Sequence, residues 1–187
     1  MSALLIILKH LELALRLHAA APWLDAQAAL AHVEAAEAAA TDQVSSELLL
    51  GIAFVESRYD PTAVSRVERT TRRTGSYPST TAPAQLNRRA SLFCGPLQTY
   101  ATSWSACMEM RNLKVAYTAG VAELEHWLRD RRVRGSISRA LAGHGCGNRG
   151  VLTGICNGYP NRVLARQRQL STSQPPSHNT RRVVAST

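Results

Sequence analysis

The sequence predicts a mainly α protein: one helical domain with a small β-hairpin and a long loop flanking a cleft. Alanine and leucine dominate and β-branched runs are scarce, which favours helix over sheet. Glycine and proline are concentrated in the middle of the chain and toward its C-terminal end, leaving long uninterrupted stretches elsewhere. With 187 residues, 45% of them hydrophobic, there is enough apolar surface for one substantial core. The expected organisation is an N-terminal helical extension over 1–40, a main domain over 41–170 and a flexible tail over 171–187.

Each element has its own justification. Met1 to Ala20 opens with Leu4, Leu5, Ile6, Ile7 and Leu8, then carries Lys9, Glu12 and Arg16 among further leucines. A signal peptide places positive charge before its apolar stretch and no acid inside it. This run is also too short and too charged to cross a bilayer. It reads as an amphipathic helix, interrupted at Pro22. Trp23 to about Ala40 is alanine-rich and helical by propensity. Thr41, Asp42 and Ser45–Ser46 offer N-caps for the central run Leu48–Val55, which is apolar almost without a gap and so predicts a buried helix. Pro61 biases Asp60 out of the helical region, so this helix ends close to Glu56.

From Ser65 to Leu92 helical periodicity disappears. Arg66 to Thr71, followed by Gly75, suits a short hairpin, and the rest reads as an exposed loop of the length that usually serves a function. Phe93 to Thr99 forms a tight turn. A helix is expected from about Tyr100 to Arg111 and another from Leu113 to Arg132, with the Arg129–Arg134 cluster as solvated connector. Ile137 to Ala142 should be a short helix broken by Gly143-His144-Gly145-Cys146-Gly147. Tyr159-Pro160 starts a last helix, Asn161 to about Leu170, and the polar sequence beyond Ser171 reads as a tail.

The formal charge of +9 is almost all arginine, since Lys9 and Lys114 are the only lysines. That balance points to a polyanionic partner: nucleic acid, anionic lipid or an anionic cell-wall polymer. The basic residues are scattered, with few aromatics to stack bases, which is not a nucleic-acid footprint. Cys94, Cys107, Cys146 and Cys156 form two close-spaced pairs. They suggest disulfides Cys94–Cys107 and Cys146–Cys156, although four cysteines allow three connectivities. Oxidised, they place the working protein outside a reducing cytosol. A zinc site using His144, Cys146 and Cys156 lacks the C-x-x-C spacing of structural zinc, so no metal or cofactor is expected.

Glu56 is the candidate catalytic group. It closes a greasy helix, where partial desolvation and the negative end of the helix dipole both favour a protonated carboxyl. A carboxyl that carries a proton near neutral pH is what a glycosidase uses as general acid. The competing reading is a surface glutamate paired with Arg58.

Four blocks between about Ser45 and Leu170 resemble, in order, the motifs of the lysozyme-like soluble lytic transglycosylases. Glu56-Ser57-Arg58-Tyr59-Asp60-Pro61-Thr62-Ala63 is similar to the catalytic motif of Glu-Ser, an aromatic, a proline and a small residue. Gly95-Pro96-Leu97-Gln98 is similar to the Gly-Leu-Met-Gln turn. Ala142 to Gly147 stands in the place of Ala-Tyr-Asn-x-Gly, and Gly158-Tyr159 followed by Val163 is similar to Gly-Tyr-x-x-x-Val. The third block departs from the family: His144 and Gly145 occupy the Tyr and Asn places, and a shift by one puts His144 at the Asn.

The resemblance implies an α+β lysozyme-like fold and cleavage of peptidoglycan between N-acetylmuramic acid and N-acetylglucosamine, with a 1,6-anhydro product. Glu56 would be the general acid and base, and Ser57, Gln98, His144 and Tyr159 would bind substrate. An alternative is a hydrolytic muramidase, for which Glu68, twelve residues after Glu56, is the expected second acid positioning water. Another is a virion or nucleic-acid-binding protein on the same scaffold without chemistry. Peptidoglycan strands are the expected partner. The expected setting is a phage-like particle, or release to the periplasm or cell wall, with 1–20 and 171–187 as docking elements for virion or injection-machine proteins.

Overall fold

A computed structural model describes residues 3–68, 73–76 and 90–172. The protein is mainly helical with a small antiparallel sheet. The order is α1 (Ala3–Ala20), α2 (Ala26–Ala39), α3 (Ser46–Ser57), β1 (Val64–Glu68), β2 (Arg73–Ser76), β3 (Ala90–Cys94), β4 (Thr99–Ala101), α4 (Trp104–Glu109), α5 (Leu113–Arg129), α6 (Ile137–Thr153) and α7 (Tyr159–Ser171). Among the described residues no helix is long and apolar enough to cross a membrane.

The core is built around α3. Leu48, Leu49, Leu50 and Ile52 are each no more than 2% exposed, and each such side chain contributes roughly 1.5–3 kcal/mol on burial. Ser45 caps the helix, its hydroxyl accepting from the Leu48 N–H at 3.3 Å. Around α3 pack α7, α2 and α5. On α2, Ala29, His32, Val33 and Ala36 recur at i, i+3, i+4 and i+7 and are buried, with Asp25 accepting from the Ala28 N–H at 2.7 Å to start the helix. The second half of α1 joins this same core through Leu13, Ala14 and Leu17. Arg16 donates to the Leu170 carbonyl and fastens α1 to α7. Residues 3–40 are thus continuous in packing with the main domain. The first half of α1 leaves Leu4, Ile7 and Leu8 more than half exposed.

The sheet runs β2-β1-β3-β4, all antiparallel. The expected hairpin is β1–β2, with a register shift between Ser65 and Arg66. Residues 77–89, expected as loop, and the tail beyond residue 172 lie outside the described residues. Both disulfides pair as the spacing suggests. Cys94–Cys107 ties β3 to α4, and Cys146–Cys156 ties α6 to the turn before α7. Cys146 and Cys156 therefore offer no thiolate to a metal. Among the described residues no group of three or more His, Cys, Asp and Glu is arranged to hold a metal ion.

Two expected elements differ. The helix expected from Tyr100 begins only at Trp104, because Thr99, Tyr100 and Ala101 pair with β3 and alternate buried, exposed, buried. Ser103 then caps α4, accepting from the Ala106 N–H at 3.1 Å. The helix from Ile137 does not stop at Ala142 but runs on through Gly143–Cys146. It breaks at Gly147, where φ is 60° and ψ is −151°, and a second short helical stretch follows to Thr153. Gly143 lets α6 lie close on α5: a Cβ there would lie 2.6 Å from Trp127 Cδ2.

Gly51 poses the same question inside α3. A mid-helix glycine costs roughly 1 kcal/mol relative to alanine. A Cβ at Gly51 would meet the Val163 carbonyl oxygen at 2.9 Å, so α3 and α7 touch backbone to backbone only because it is absent. We expect Gly51→Ala to lower stability by about 1–3 kcal/mol in denaturant unfolding, overpacking outweighing the gain in helix propensity. A more stable variant would show that α3 and α7 can move apart at no cost.

Candidate functional site

Glu56 sits in the last turn of α3, where the apolar run stops. The chain leaves the helix through Arg58 and Tyr59, both in left-handed backbone (φ 57° and 70°). Such backbone costs about 1–3 kcal/mol per residue. The burial of Tyr59, 1% exposed, offsets this, and that ring belongs to the core. Glu56 is thereby left facing a cleft of about 580 Å³, together with Ser65, Phe93, Gln98, Tyr100, Glu123, Trp127 and the segment Gly143–Gly147. Its side chain is 21% exposed, enough to meet a ligand and still largely shielded from water.

His144 stands between two carboxylates. Its Nε2 lies 3.7 Å from Glu56 Oε1, and its Nδ1 lies 3.2 Å from Glu123 Oε1. The His144 side chain is only 2% exposed. Burial by itself would push this imidazole down. The Glu123 contact and charge, the Glu56 charge and the Leu97 carbonyl override it and raise His144 to about 9. For Glu123, burial pushes the carboxyl up, but His144, the Tyr100 N–H at 3.5 Å and the nearby Trp127 indole hold it below its ordinary 4.5. The Nδ1–H does not point squarely at Oε1, leaving Nδ1 without an aligned hydrogen bond. The pair is therefore held by charge at contact distance. On the other side of the ring, Nε2–H donates to the Leu97 carbonyl at 3.2 Å, so the Glu56 contact is also one of charge.

His144 and Glu123 thus form an ion pair, and Glu56 is the second carboxyl that faces the same cleft.

The other expected site residues hold this frame. Ser57 Oγ donates to the Pro96 carbonyl at 2.9 Å and lies within 3.2 Å of the Ala53 carbonyl, which fastens the helix end to the Gly95–Gln98 turn. Gln98, at φ 50°, lines the cleft but spends its amide locally. Its Nε2 donates to the Ala63 and Gly95 carbonyls at 3.1 and 3.0 Å, and its Oε1 accepts from Ser65 Oγ at 2.7 Å. Tyr159 is 6% exposed and packs behind His144, ring centroids 6.2 Å apart. Its hydroxyl is buried near Glu56 without an aligned partner. Burial first, then the Glu56 charge, push it well above the usual tyrosine range. Asp60 accepts from the Thr62 N–H and hydroxyl at 2.8 and 2.7 Å and caps the turn after α3. The backbone of Glu68 ends β1 opposite Ala90, and its side chain lies outside what the structure describes.

Sequence reasoning missed Glu123 and the aromatic walls Phe93, Tyr100 and Trp127. A signal for Glu123 was present. On α5 it falls three residues after the buried Gly120 and four before Trp127, along the edge of an otherwise inward-facing stripe that includes Ala116 and Leu124. Compared with known proteins, the chain matches no family model, no curated protein and no solved structure.

Since the folded value of His144 lies above its ordinary 6.5, its stabilising contribution is fully present below about pH 6.5 and is lost as pH rises through about 9. Glu123, held low, contributes above its ordinary 4.5 and loses that contribution on acidification. We expect the imidazole nitrogens of His144 to titrate near pH 9 by NMR, and to do so at or below the ordinary value in Glu123→Gln. A wild-type midpoint at or below 6.5 would mean that the charge pair does not form.

Proposed function

We propose that this protein is a peptidoglycan lytic transglycosylase of lysozyme-like type, cleaving the β-1,4 bond between N-acetylmuramic acid and N-acetylglucosamine. The observation that carries the reading is Glu56: a largely shielded carboxyl at the end of a buried helix, opening on an aromatic-walled cleft beside an ion pair. Phe93, Tyr100 and Trp127 offer rings for the apolar faces of sugars. The four sequence motifs support the same reading, since Glu56, Gln98 and His144 from three of them converge on the cleft and Tyr159 from the fourth packs behind it.

In this mechanism protonated Glu56 gives its proton to the glycosidic oxygen as the bond from the muramyl C1 breaks. The muramyl 6-hydroxyl then bonds to C1 and returns its proton to Glu56, closing the 1,6-anhydro ring. No water is consumed and the acid is regenerated. His144 and Glu123 act here as positioning residues that keep the second charge of the cleft compensated.

A hydrolytic muramidase is the second reading, and Glu123 favours it. Hydrolysis ordinarily uses a second carboxylate to direct water, and Glu123 reaches the cleft with its side chain 19% exposed.

Isolated peptidoglycan incubated with the protein and weighed by mass spectrometry separates the readings by one water per new end. We expect anhydro ends, and a loss of about 10²–10⁴-fold in release for Glu56→Gln. Reducing ends would establish the muramidase, and undiminished release by the variant would remove Glu56 from the chemistry.

A further inference from the structure

On α3, Phe54 stands two residues from Glu56, about 200° away around the helix, and so faces away from the cleft. On that side lies a second cavity of about 480 Å³ between the end of α3 and α7, lined also by Arg58, the left-handed residue just past the helix. Its charged walls are Arg58, Arg162 and Arg166, and its apolar floor is Phe54, Val55 and Ala165. No carboxylate lines it, and none of the three arginines takes part in an ion pair among the described residues.

Arg166 is the telling member. It is 7% exposed, and a buried cation is costly unless a counter-charge meets it. Its partners are all neutral. Nη2 donates to the Ala20 carbonyl at 2.8 Å, Nη1 donates to Gln169 Oε1 at 2.6 Å, and Cζ lies 4.0 Å over the Phe54 ring. Nε has no aligned hydrogen bond, although the Tyr59 hydroxyl is close enough to feel the charge. Arg162 is steered by donating Nη1 to the Asn157 carbonyl at 2.8 Å, and Arg58 lies over the Trp23 ring at 5.9 Å. Three guanidiniums with only neutral partners thus border one concavity. Their planar forks match the oxygens of a carboxylate or phosphate.

We propose that Arg58, Arg162 and Arg166 form an oxyanion-binding site, separate from the cleft, for a carboxylate or phosphate carried on a short apolar group. The apolar floor favours an organic anion over a bare ion. Because the two sites lie on opposite faces of α3, an occupant here does not displace a ligand from the cleft. The site does not depend on what reaction the cleft performs.

The test is calorimetric titration of the full chain with inorganic phosphate and with N-acetylalanine, each against sodium chloride at matched ionic strength. Saturable binding of either anion beyond chloride is expected, with at least a tenfold loss in the Arg58→Gln/Arg162→Gln double variant. N-acetylalanine alone supports the site and identifies a carboxylate, whereas phosphate alone supports the oxyanion site but overturns the preference for an apolar group. Both altered side chains are exposed, and the glutamine at 58 meets the same backbone demand as arginine. Should the double variant fail to fold, Arg162→Gln alone carries the comparison. Binding no stronger than chloride, or equal in wild type and variant, overturns the proposal.

Discussion

The contact on which the architecture depends is the backbone-to-backbone approach of α3 and α7 at Gly51. It lets an apolar helix be covered closely enough to have no wet side along Leu48–Ala53. A helix buried in this way cannot run far past the point where its sequence turns polar, because further polar residues would enter the core uncompensated, and α3 stops at Ser57. The chain turns out through left-handed backbone at Arg58 and Tyr59, and Glu56 stays at the border between core and cleft. The helix is thus both the mainstay of stability and the holder of the candidate acid.

Two buried histidines show how environment sets charge. His32, 2% exposed, lies between Tyr59 and Tyr117, with Nδ1 2.9 Å from the Tyr117 hydroxyl. With no carboxylate to answer it, burial lowers it to about 4, the backbone of Tyr59 only partly resisting, and the ring is neutral at ordinary pH. The His144 side chain is also buried, yet two carboxylates reverse the outcome. Desolvation is the largest single influence on both rings, and the sum of nearby charges decides which way each finally moves.

The polar residues around Glu56 divide by task. Ser57 and Gln98 use their hydrogen-bonding groups on backbone carbonyls and on Ser65, which clamps α3, the 95–98 turn and β1 into one frame. This leaves the aromatic rings and the Glu56–His144–Glu123 group as the surfaces a ligand in the cleft would meet. Precision of this kind comes from side chains whose own partners are already satisfied.

Local physics made much of this legible in advance. A gapless apolar run with Ser45 before it and Pro61 after it can only be a buried helix ending near Glu56, and the cysteine spacing pointed to both disulfides. Where competing partners were needed, local reasoning stopped short. Thr99–Ala101 became a strand because β3 lay beside it, and the use of glycine at 143 became clear only with Trp127 packed against it. Glu123 lies 67 positions from Glu56 in the chain and 21 from His144, so no window of sequence contains the group they form. Propensity, capping and apolar period act over a few residues and are written in the chain. The balance between desolvation and opposite charge acts through space, and only the packed helices decide it.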